Sequence, residues 1–568
     1  MKSIYKLLSF LVAIIITKQA AAQSDYIPIG DKQQAFINRL DMKLQNDPVL
    51  RFSTVKPFNR KSITEQIEAL KSSGRLDGIL SKTDEYDLQS LFIANSDWYS
   101  GDLSPYYSNS KLLKTFFHNE AHLYENKSED FTIVVDPVLN FQLGKTNSDN
   151  SSKLFFNTRG VRVRGSVDNA IGFYTYLGEN QERDPVYVRN WVSQQNALPG
   201  KGYVKNYNKH PGAYDYFDIR GGLTFSAGKS AQFQLAYDNF FIGDGYRSLF
   251  LSDFSSPFLF LRGTVQITPR WSYTGAIAQT IAPFATGSPN GILPNDSTRP
   301  RNYMMFHHLT FQATDWLQLG LFENSMLNTN GVQKSLLSDS LQAVGTAMNI
   351  GKKVRSMVGL DFKANIVKDV QAYGQLLING TKDLFSFGRS SWENKKAFQL
   401  GVKYTDAFTL DNLDLQVEYN TVRPYTYSDN WDVNNYSHYN QPLADPMGAN
   451  FRELIGVVNY RPWKKIYLTG KIFYTKQGLN ENGINYGSNI FQPYQDHGVS
   501  QISTLDGLKS TYLMGSFSAG YELFQNFFLE GNLVARNVKY ENNVQPRNNE
   551  SYFYIGVRWN FVKRVFEF

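Results

Sequence analysis

Aromatic rings beside aspartate and asparagine are the residues of this chain best suited to bind a ligand. The sequence contains 35 Tyr, 41 Phe and 8 Trp, and several of them cluster in polar segments. A flat ring presents a large rigid surface with few rotamers to freeze, and a neighbouring polar group fixes the orientation of a ligand. This pattern suits the binding of sugars, although the same rings can also pack these segments against one another. The candidate contact residues are Trp191, Tyr203, Tyr207, Trp431, Tyr436, Tyr439 and Tyr494.

Two further motifs carry weaker chemical signals. His118 and His122 have the spacing of two metal ligands on a helix, but Asn119 stands where a metalloprotease needs Glu. Residues 225–230 lack the earlier glycine of a phosphate-binding loop, because Leu223 occupies that position. No nucleophile elbow stands out either. We therefore expect a protein that is not an enzyme and that needs no metal and no cofactor.

Composition excludes several classes of protein. The chain has no cysteine, which excludes disulfides, thiolate zinc sites, a cysteine nucleophile and a lipid-anchoring N-terminal cysteine. Its 58 basic and 51 acidic residues give a net charge of +7. Because this small surplus is spread along the chain, we expect no nucleic-acid partner.

The first 22 residues have the pattern of a secretory signal peptide. Lys2 and Lys6 form a basic start, residues 7–16 are apolar, and residues 20–22 are three alanines at a cleavage site. The apolar stretch is too short to span a membrane, and no later stretch reaches about 18 consecutive apolar residues. The sequence therefore predicts an exported protein that crosses any membrane with strands.

Residues 23–130 have helical periodicity and predict a small periplasmic subdomain. The predicted helices cover residues 31–44, 62–73 and 82–95. For the second helix, Ser62 and Glu65 have the spacing of a capping box.

From Phe131 to the end of the chain, residues 131–568, the period of the apolar residues changes to two. About 18 such segments predict an all-β membrane protein, an antiparallel outer-membrane β-barrel whose apolar faces meet lipid. The charged residues of these strands then face the lumen. We expect this of Arg162, Arg164, Lys363, Lys471, Glu530 and Arg558.

The connections between the predicted strands alternate between very short turns and long polar segments. This arrangement is typical of outer-membrane barrels and distinguishes them from soluble sandwiches. Trp271, Trp316 and Trp463 each stand beside a short turn, where an aromatic girdle would lie at the periplasmic interface. We therefore expect the long loops to be extracellular and both termini to be periplasmic.

Residues 239–262 read NFFIGDGYRSLFLSDFSSPFLFLR, and this stretch resembles the hallmark segment of the Wzi-type capsule-assembly outer-membrane proteins. The matching residues are Gly243, Gly245, Ser248, Leu249, Leu251, Ser252 and Pro257. Residues 26–57, with YIPIG, FINRLD and KPFNR, are similar to that family's periplasmic entry. Asp244 departs from the family, which has proline at this point. The aromatic, Asn-rich style resembles a Bacteroidetes member, where relatives include the gliding-motility protein RemB.

The resemblance implies a lectin-like barrel, embedded in membrane lipid, that attaches or assembles capsular or other surface polysaccharide. It transfers no sugar-contacting residue to this chain. Two alternatives remain open at this stage. One is a gliding or adhesion component with partners in the motility or export machinery, and the other is a diffusion porin, which the lumenal Arg and Lys would suit.

Overall fold

In a computed structural model, 18 antiparallel strands form one closed barrel, which confirms the predicted fold class. The predicted signal peptide lies outside the described residues. The structure describes residues 24–45, 50, 52–107, 116–149, 153–168, 170–202, 204–228, 230–283, 301–328, 355–379, 391–497, 500–541 and 548–568.

Each barrel strand pairs with the next along the chain, and the last strand closes the barrel on the first, with Trp559 opposite Leu139. The strands are β1 Phe131–Thr146, β2 Leu154–Val167, β3 Ile171–Arg183, β4 Tyr214–Ala227, β5 Ala231–Asp238, β6 Phe258–Thr268, β7 Trp271–Ile281, β8 Arg301–Gln312, β9 Leu317–Asn328, β10 Arg355–Val367, β11 Val370–Asn379, β12 Lys396–Tyr404, β13 Leu413–Val422, β14 Phe451–Tyr460, β15 Ile466–Leu479, β16 Leu508–Phe524, β17 Phe527–Tyr540 and β18 Asn548–Trp559.

The alternating sequence pattern sets which side of each strand faces outward. On β13, Val417 is 55% exposed whereas Glu418, the next residue, is 0% exposed. Leu, Ile, Val and Phe dominate the exposed positions of the wall, and Asn, Gln, Thr and charged residues dominate the buried ones. A backbone in hydrocarbon must satisfy all its own hydrogen bonds, and closure of the sheet does this.

The two ends of the barrel differ in the length of their connections. At one end, here called the short-turn end, β6 and β7 are joined by residues 269–270 alone. Trp271, Trp316 and Trp463 are exposed beside such turns, where a membrane interface favours aromatic rings. The opposite, long-loop end carries the extended connections.

In the described part of the chain, four α-helices accompany the barrel: α1 Lys32–Leu44, α2 Arg60–Ser72, α3 Lys82–Ala94 and α4 Val186–Gln195. Asn59 caps α2 by accepting from the backbone N–H of Ser62. The helix therefore begins earlier than the capping-box spacing of Ser62 and Glu65 predicted. Within the described residues, none of the helices has the length and apolarity required to cross a membrane. Short elements are the 3-10 turns Ser104–Tyr106, Ala407–Thr409, Asp432–Asn434 and Tyr494–Asp496, and the strands Val55–Lys56, Tyr124–Lys127, Lys205–Asn206, Phe241–Ile242, Ser437–His438 and Gln441–Pro442.

Helices α1 to α3 lie against the short-turn end of the barrel. They share a core that includes Phe36, Ile67 and Leu91. Ion pairs join them to the barrel wall, for example between Nζ of Lys32 and Oε1 of Glu522 at 2.5 Å. The helical region is thus docked on the barrel, while the domain boundaries at residues 23 and 131 stay a prediction.

Candidate functional site

Residues 239–257, here called the lumen segment, fold into the barrel between β5 and β6. Phe241–Ile242 pairs with Val55–Lys56 of the N-terminal region. Phe250 is fully buried and stacks on Phe322 of β9, with ring centroids 4.6 Å apart. The stretch that resembles the hallmark segment therefore lies inside the barrel and not in an ordinary surface hairpin.

Both motif glycines are required by close approach to the barrel wall. Gly243 has φ +147°, and a Cβ on it would lie 2.8 Å from Nε2 of Gln375. A Cβ on Gly245 would lie 2.6 Å from Oε2 of Glu418. Glu418 instead accepts from the backbone N–H of Tyr246 at 2.6 Å and of Arg247 at 3.0 Å. Glycine here lets the backbone reach a buried carboxylate.

The two motif serines fold the lumen segment back on itself. Oγ of Ser248 donates to the carbonyl of Ile242 at 2.5 Å and accepts from the backbone N–H of Leu251 at 3.2 Å. Oγ of Ser252 donates to the carbonyl of Ala444 at 2.5 Å. Leu249 and Leu251 are fully buried. These residues therefore hold the segment in place, which leaves them no surface for a sugar.

The last motif residue, Pro257, joins the lumen segment to a long loop. Its carbonyl lies 3.1 Å from Nε2 of His438. In the same loop, the hydroxyls of Tyr427 and Tyr436 donate to the carbonyls of Leu249 and Phe250 at 2.8 and 2.7 Å. Residues 425–449 thus pack on the lumen segment.

Residues 560–568 also lie inside the barrel. Oε1 of Glu567 pairs with Nζ of Lys471 at 2.8 Å, and the ring of Phe568 lies 5.7 Å from that of Trp191. Arg564 pairs with Glu182 of β3. Among the described residues, parts of three separate segments therefore occupy the lumen.

The predicted lumenal charges all lie on the inner wall, each beside a partner. Arg162 donates to the carbonyl of Asn560 at 3.3 Å, and Lys471 meets Glu567. Glu530 and Arg558 pair with each other at 3.2 Å between Oε1 and Nε. Arg164 pairs with Asp97, and Lys363 with Asp41 at 2.9 Å. Arg162 and Lys471 thus contact residues 560–568, and Arg164 and Lys363 contact the N-terminal region, which differs from the water-facing lining of an open pore.

A cavity of about 660 Å³ remains between the lumenal segments. Its walls come from the N-terminal region, the lumen segment and residues 560–567, and they carry both charges, for example Lys56, Arg220, Asp244 and Asp253. Burial lowers the pKa of Lys56 to about 8, although the neighbouring Asp244 opposes that shift. A cavity of mixed charge gives no clear preference for one ligand.

Asp445 makes the stability of the loop over the lumen segment depend on pH. Its side chain is fully buried, and Oδ2 lies 3.9 Å from Nε of Arg247 without a hydrogen bond from a described residue. Burial, together with the charge of Glu453, raises the pKa of Asp445 to about 8. The folded protein therefore holds this proton up to a higher pH than the unfolded chain does. The contribution of the protonated Asp445 carboxyl to the stability of the folded protein is fully present below about pH 4 and is lost as the pH rises towards 8.

In the wild type, the free energy of unfolding should fall between pH 5 and pH 9 as Asp445 loses its proton. We expect this fall to be smaller in Asp445→Asn by on the order of a few kcal/mol. Urea unfolding of the detergent-solubilised barrel at both pH values measures this. Asp432→Asn is the control, since Asp432 is exposed on the same loop. Equal pH dependence in wild type and Asp445→Asn would contradict the assignment.

The structure distributes the predicted sugar-contact aromatics between the lumen and the surface. Tyr436 and Tyr439 are buried, which corrects the expectation that they contact a ligand, because both pack among lumenal residues. Trp191 is half-buried against Phe254 and Phe568. Tyr207 is half-buried beside His210. Tyr203 lies outside the described residues.

Three long loops meet at one place on the long-loop end, here called the rim cluster: Trp392, Lys395, Asp429, Trp431, Tyr494 and His497. Trp392 stacks on His497 with ring centroids 4.5 Å apart and lies 5.2 Å from Tyr494. Nζ of Lys395 lies 3.9 Å from the centroid of the Tyr494 ring. The backbone N–H of Tyr494 donates to the carbonyl of Asp429 at 3.0 Å. That bond brings the loop of Trp431, which is 63% exposed, to the same place.

The rim cluster combines exposed ring surface with polar groups. Trp392, Tyr494 and His497 are each half-exposed, as is Asp429. Nδ1 of His497 is buried without a hydrogen-bond partner among the described residues. Sugars offer apolar C–H faces beside hydroxyl groups, and such a surface can contact both. The sequence predicted Trp431 and Tyr494 as contact residues but not Trp392, whose signal was a Trp in a polar segment.

No family model matches the chain, and no curated protein sequence matches it. Among solved structures it is similar to Escherichia coli Wzi, described as an outer-membrane protein involved in group 1 capsule assembly and a carbohydrate-binding β-barrel. That similarity covers 96% of this chain and 99% of Wzi, with 14% sequence identity and a TM-score of 0.54. The chain has a Wzi-like fold. Pseudomonas aeruginosa OprD and OpdK are also similar over 75% of the chain, at 9% identity and TM-scores of 0.41 and 0.42, with 94% and 98% of those chains covered.

Proposed function

We propose that this protein retains capsular or other surface polysaccharide on the cell by binding it at the rim cluster. The observation that carries the proposal is the meeting of three long loops around half-exposed Trp392 and Tyr494 and exposed Trp431. The proposal includes an outer-membrane orientation in which the long loops face the outside and both termini face the periplasm. Polysaccharide chains outside the cell then reach the rim directly.

The occupied lumen supports binding at the surface over diffusion through the barrel. The lumen segment, the buried residues of the loop 425–449 and residues 560–568 pack inside the wall, and α1 to α3 lie at the short-turn end. The Arg and Lys that suggested a porin are engaged with these segments. This packing supports a barrel whose lumen is filled and whose long loops are available for binding.

The Wzi-like fold supports the same proposal, since Wzi is described as a carbohydrate-binding barrel. The finer assignment, a Bacteroidetes-type relative of RemB with partners in the motility or export machinery, rests on the sequence resemblance. We further propose that the protein acts by binding alone, without catalysis or a cofactor, because its clustered aromatics suit a sugar-binding surface and we assign no catalytic group among the described residues.

Deletion of the gene in the producing cell tests the proposed function. We expect the deletion strain to release polysaccharide into the medium and to retain several-fold less on its surface, and we expect complementation to restore retention. Quantification of cell-bound and released polysaccharide measures this. Normal retention together with lost spreading motility would instead favour the gliding or adhesion alternative.

A further inference from the structure

A row of basic side chains crosses the outer surface of the barrel near the long-loop end. Arg452 of β14 is directly opposite Lys476 of β15, Lys476 is opposite Thr511 of β16, and Thr511 is opposite Lys539 of β17. The three cations are exposed and lie at the outward positions of their strands. Neighbouring strands are about 4.8 Å apart, so the row spans about 15 Å. We call Arg452, Lys476 and Lys539 the basic row.

The basic row is destabilising unless a negative group accompanies it. Like charges directly opposite each other across two strands repel, and Arg452 and Lys476 form such a pair. None of the described carboxylates forms an ion pair with Arg452, Lys476 or Lys539, whereas Lys509 on the same surface pairs with Glu541 at 3.5 Å. Nζ of Lys476 lies 5.8 Å from the centroid of the Tyr474 ring, and this uncharged ring does not neutralise the lysine.

An apolar groove of about 1000 Å³ crosses the same strands below the basic row. The groove contains the outward positions that lie four residues from the basic row, toward the short-turn end. These positions are Gly456, Ile472, Gly515 and Ala535, which are again directly opposite one another. Four residues correspond to about 13 Å along a strand. The groove is therefore nearer the middle of the membrane than the cations are.

Glycines keep this groove open although packing does not require them. A Cβ built on Gly470 or on Gly515 would meet nothing within 4 Å. Phe517, Leu533 and Phe553 flank the space with apolar side chains. The apolar lining of the groove thus suits a hydrocarbon chain, while the basic row above it suits an anion.

We propose that the basic row and the groove together bind a phosphorylated lipid of the leaflet at the long-loop end. The phosphate lies among Arg452, Lys476 and Lys539, where charge-assisted hydrogen bonds form, and an acyl chain lies over Gly515 in the groove. Lys145, at the far end of the groove beside Phe553, adds a further cation. The site depends on the membrane embedding of the barrel but not on polysaccharide binding at the rim cluster.

Native mass spectrometry of the full-length barrel in detergent tests this site. The probes are lipid A, phosphatidylglycerol and phosphatidylcholine of matched chain length. We expect both phosphate-bearing lipids with a net negative charge to be retained at least tenfold better than phosphatidylcholine. A greater retention of lipid A than of phosphatidylglycerol identifies a glycolipid as the occupant, and equal retention identifies the shared phosphate chemistry.

The variant R452Q/K476Q/K539Q is expected to lose that preference. Its charge-matched control, K82Q/K127Q/K368Q, removes three exposed lysines at or near the short-turn end and is expected to keep it. Gly515→Leu, which retains every cation, is expected to weaken lipid retention by filling the groove. If the triple variant fails to fold, single Lys476→Gln and Gly515→Leu decide the same question.

Three outcomes would overturn the proposal: no preference of the wild type for the anionic lipids, an unchanged preference in R452Q/K476Q/K539Q, or full displacement by inorganic phosphate with no effect of Gly515→Leu. Polysaccharide binding by R452Q/K476Q/K539Q is measured in parallel. The lipid site is separate from the rim cluster. Loss of lipid retention with normal polysaccharide binding would therefore contradict only the lipid site. Loss of polysaccharide binding with normal lipid retention would contradict only the proposed function.

Discussion

Replacing Arg39 by Met is expected to weaken the docking of the helical region on the short-turn end of the barrel. Nε of Arg39 lies 2.6 Å from Oδ1 of Asp84, and its two other nitrogens contact Asp406 and Asp414 of the barrel. Burial alone would raise the pKa of Asp84, but hydrogen bonds and charge from Arg39 and Lys43 lower it to about 2. The variant therefore leaves Asp84 and Asp406 with Lys43 as their ion-pair partner and removes the cation beside Asp414.

Breaking a buried ion pair by removal of one partner costs about 3–5 kcal/mol. If the released state is cleaved in proportion to its population, trypsin cleavage within residues 24–107 should rise by about 100-fold or more. Timed digestion of the detergent-solubilised protein, followed by mass spectrometry of the fragments, measures this. Lys82→Met, at an exposed position of α3, should leave the rate unchanged. Equal rates in wild type and Arg39→Met would show that this cluster does not hold the helices in place.

Replacing Trp392 by Ala is expected to weaken polysaccharide binding by about tenfold or more, because aromatic anchors at the centre of a binding surface contribute most to affinity. Tyr494→Ala should have a similar effect by removing the ring that lies between Trp392 and Lys395. Tyr494→Phe keeps the ring and should retain most of the affinity. Equilibrium binding of purified surface polysaccharide to the solubilised barrel measures all three.

The matched control is Trp463→Ala at the short-turn end. Trp463 is 68% exposed, so loss of binding in this variant would indicate non-specific adsorption to exposed rings. The proposed site would be ruled out if Trp392→Ala and Tyr494→Ala both bound as the wild type does.

The barrel could be predicted from the sequence because apolar and polar residues alternate along each strand and show which side faces outward. Val417 and Glu418 show this at adjacent positions, as do the Trp residues beside the short turns. Helices α1 to α3 were predicted for the same reason, although Asn59 rather than Ser62 caps α2, whereas α4 was not predicted. Periodicity and turn residues are local signals, so no tertiary information was needed.

The contents of the lumen could not be predicted because lumenal loops have the same polar and aromatic composition as surface loops. Tyr436 is buried and Trp431 is exposed, yet both stand in one loop with the same Asn-rich neighbours. The difference depends on the contact between Tyr436 and Phe250, residues far apart in sequence. Trp392 was missed for the same reason, since its partners Tyr494 and His497 come from another loop.

Hydroxyl-radical footprinting of the full-length barrel shows whether the rim cluster itself contacts polysaccharide. The oxidation of each aromatic side chain is measured with and without the purified polysaccharide. If polysaccharide binds at the rim cluster, Trp392, Trp431 and Tyr494 are protected from oxidation, and Trp271 and Trp463 at the short-turn end are unchanged. Oxidation of the three rim residues that is unaffected by saturating polysaccharide would contradict binding at the rim cluster.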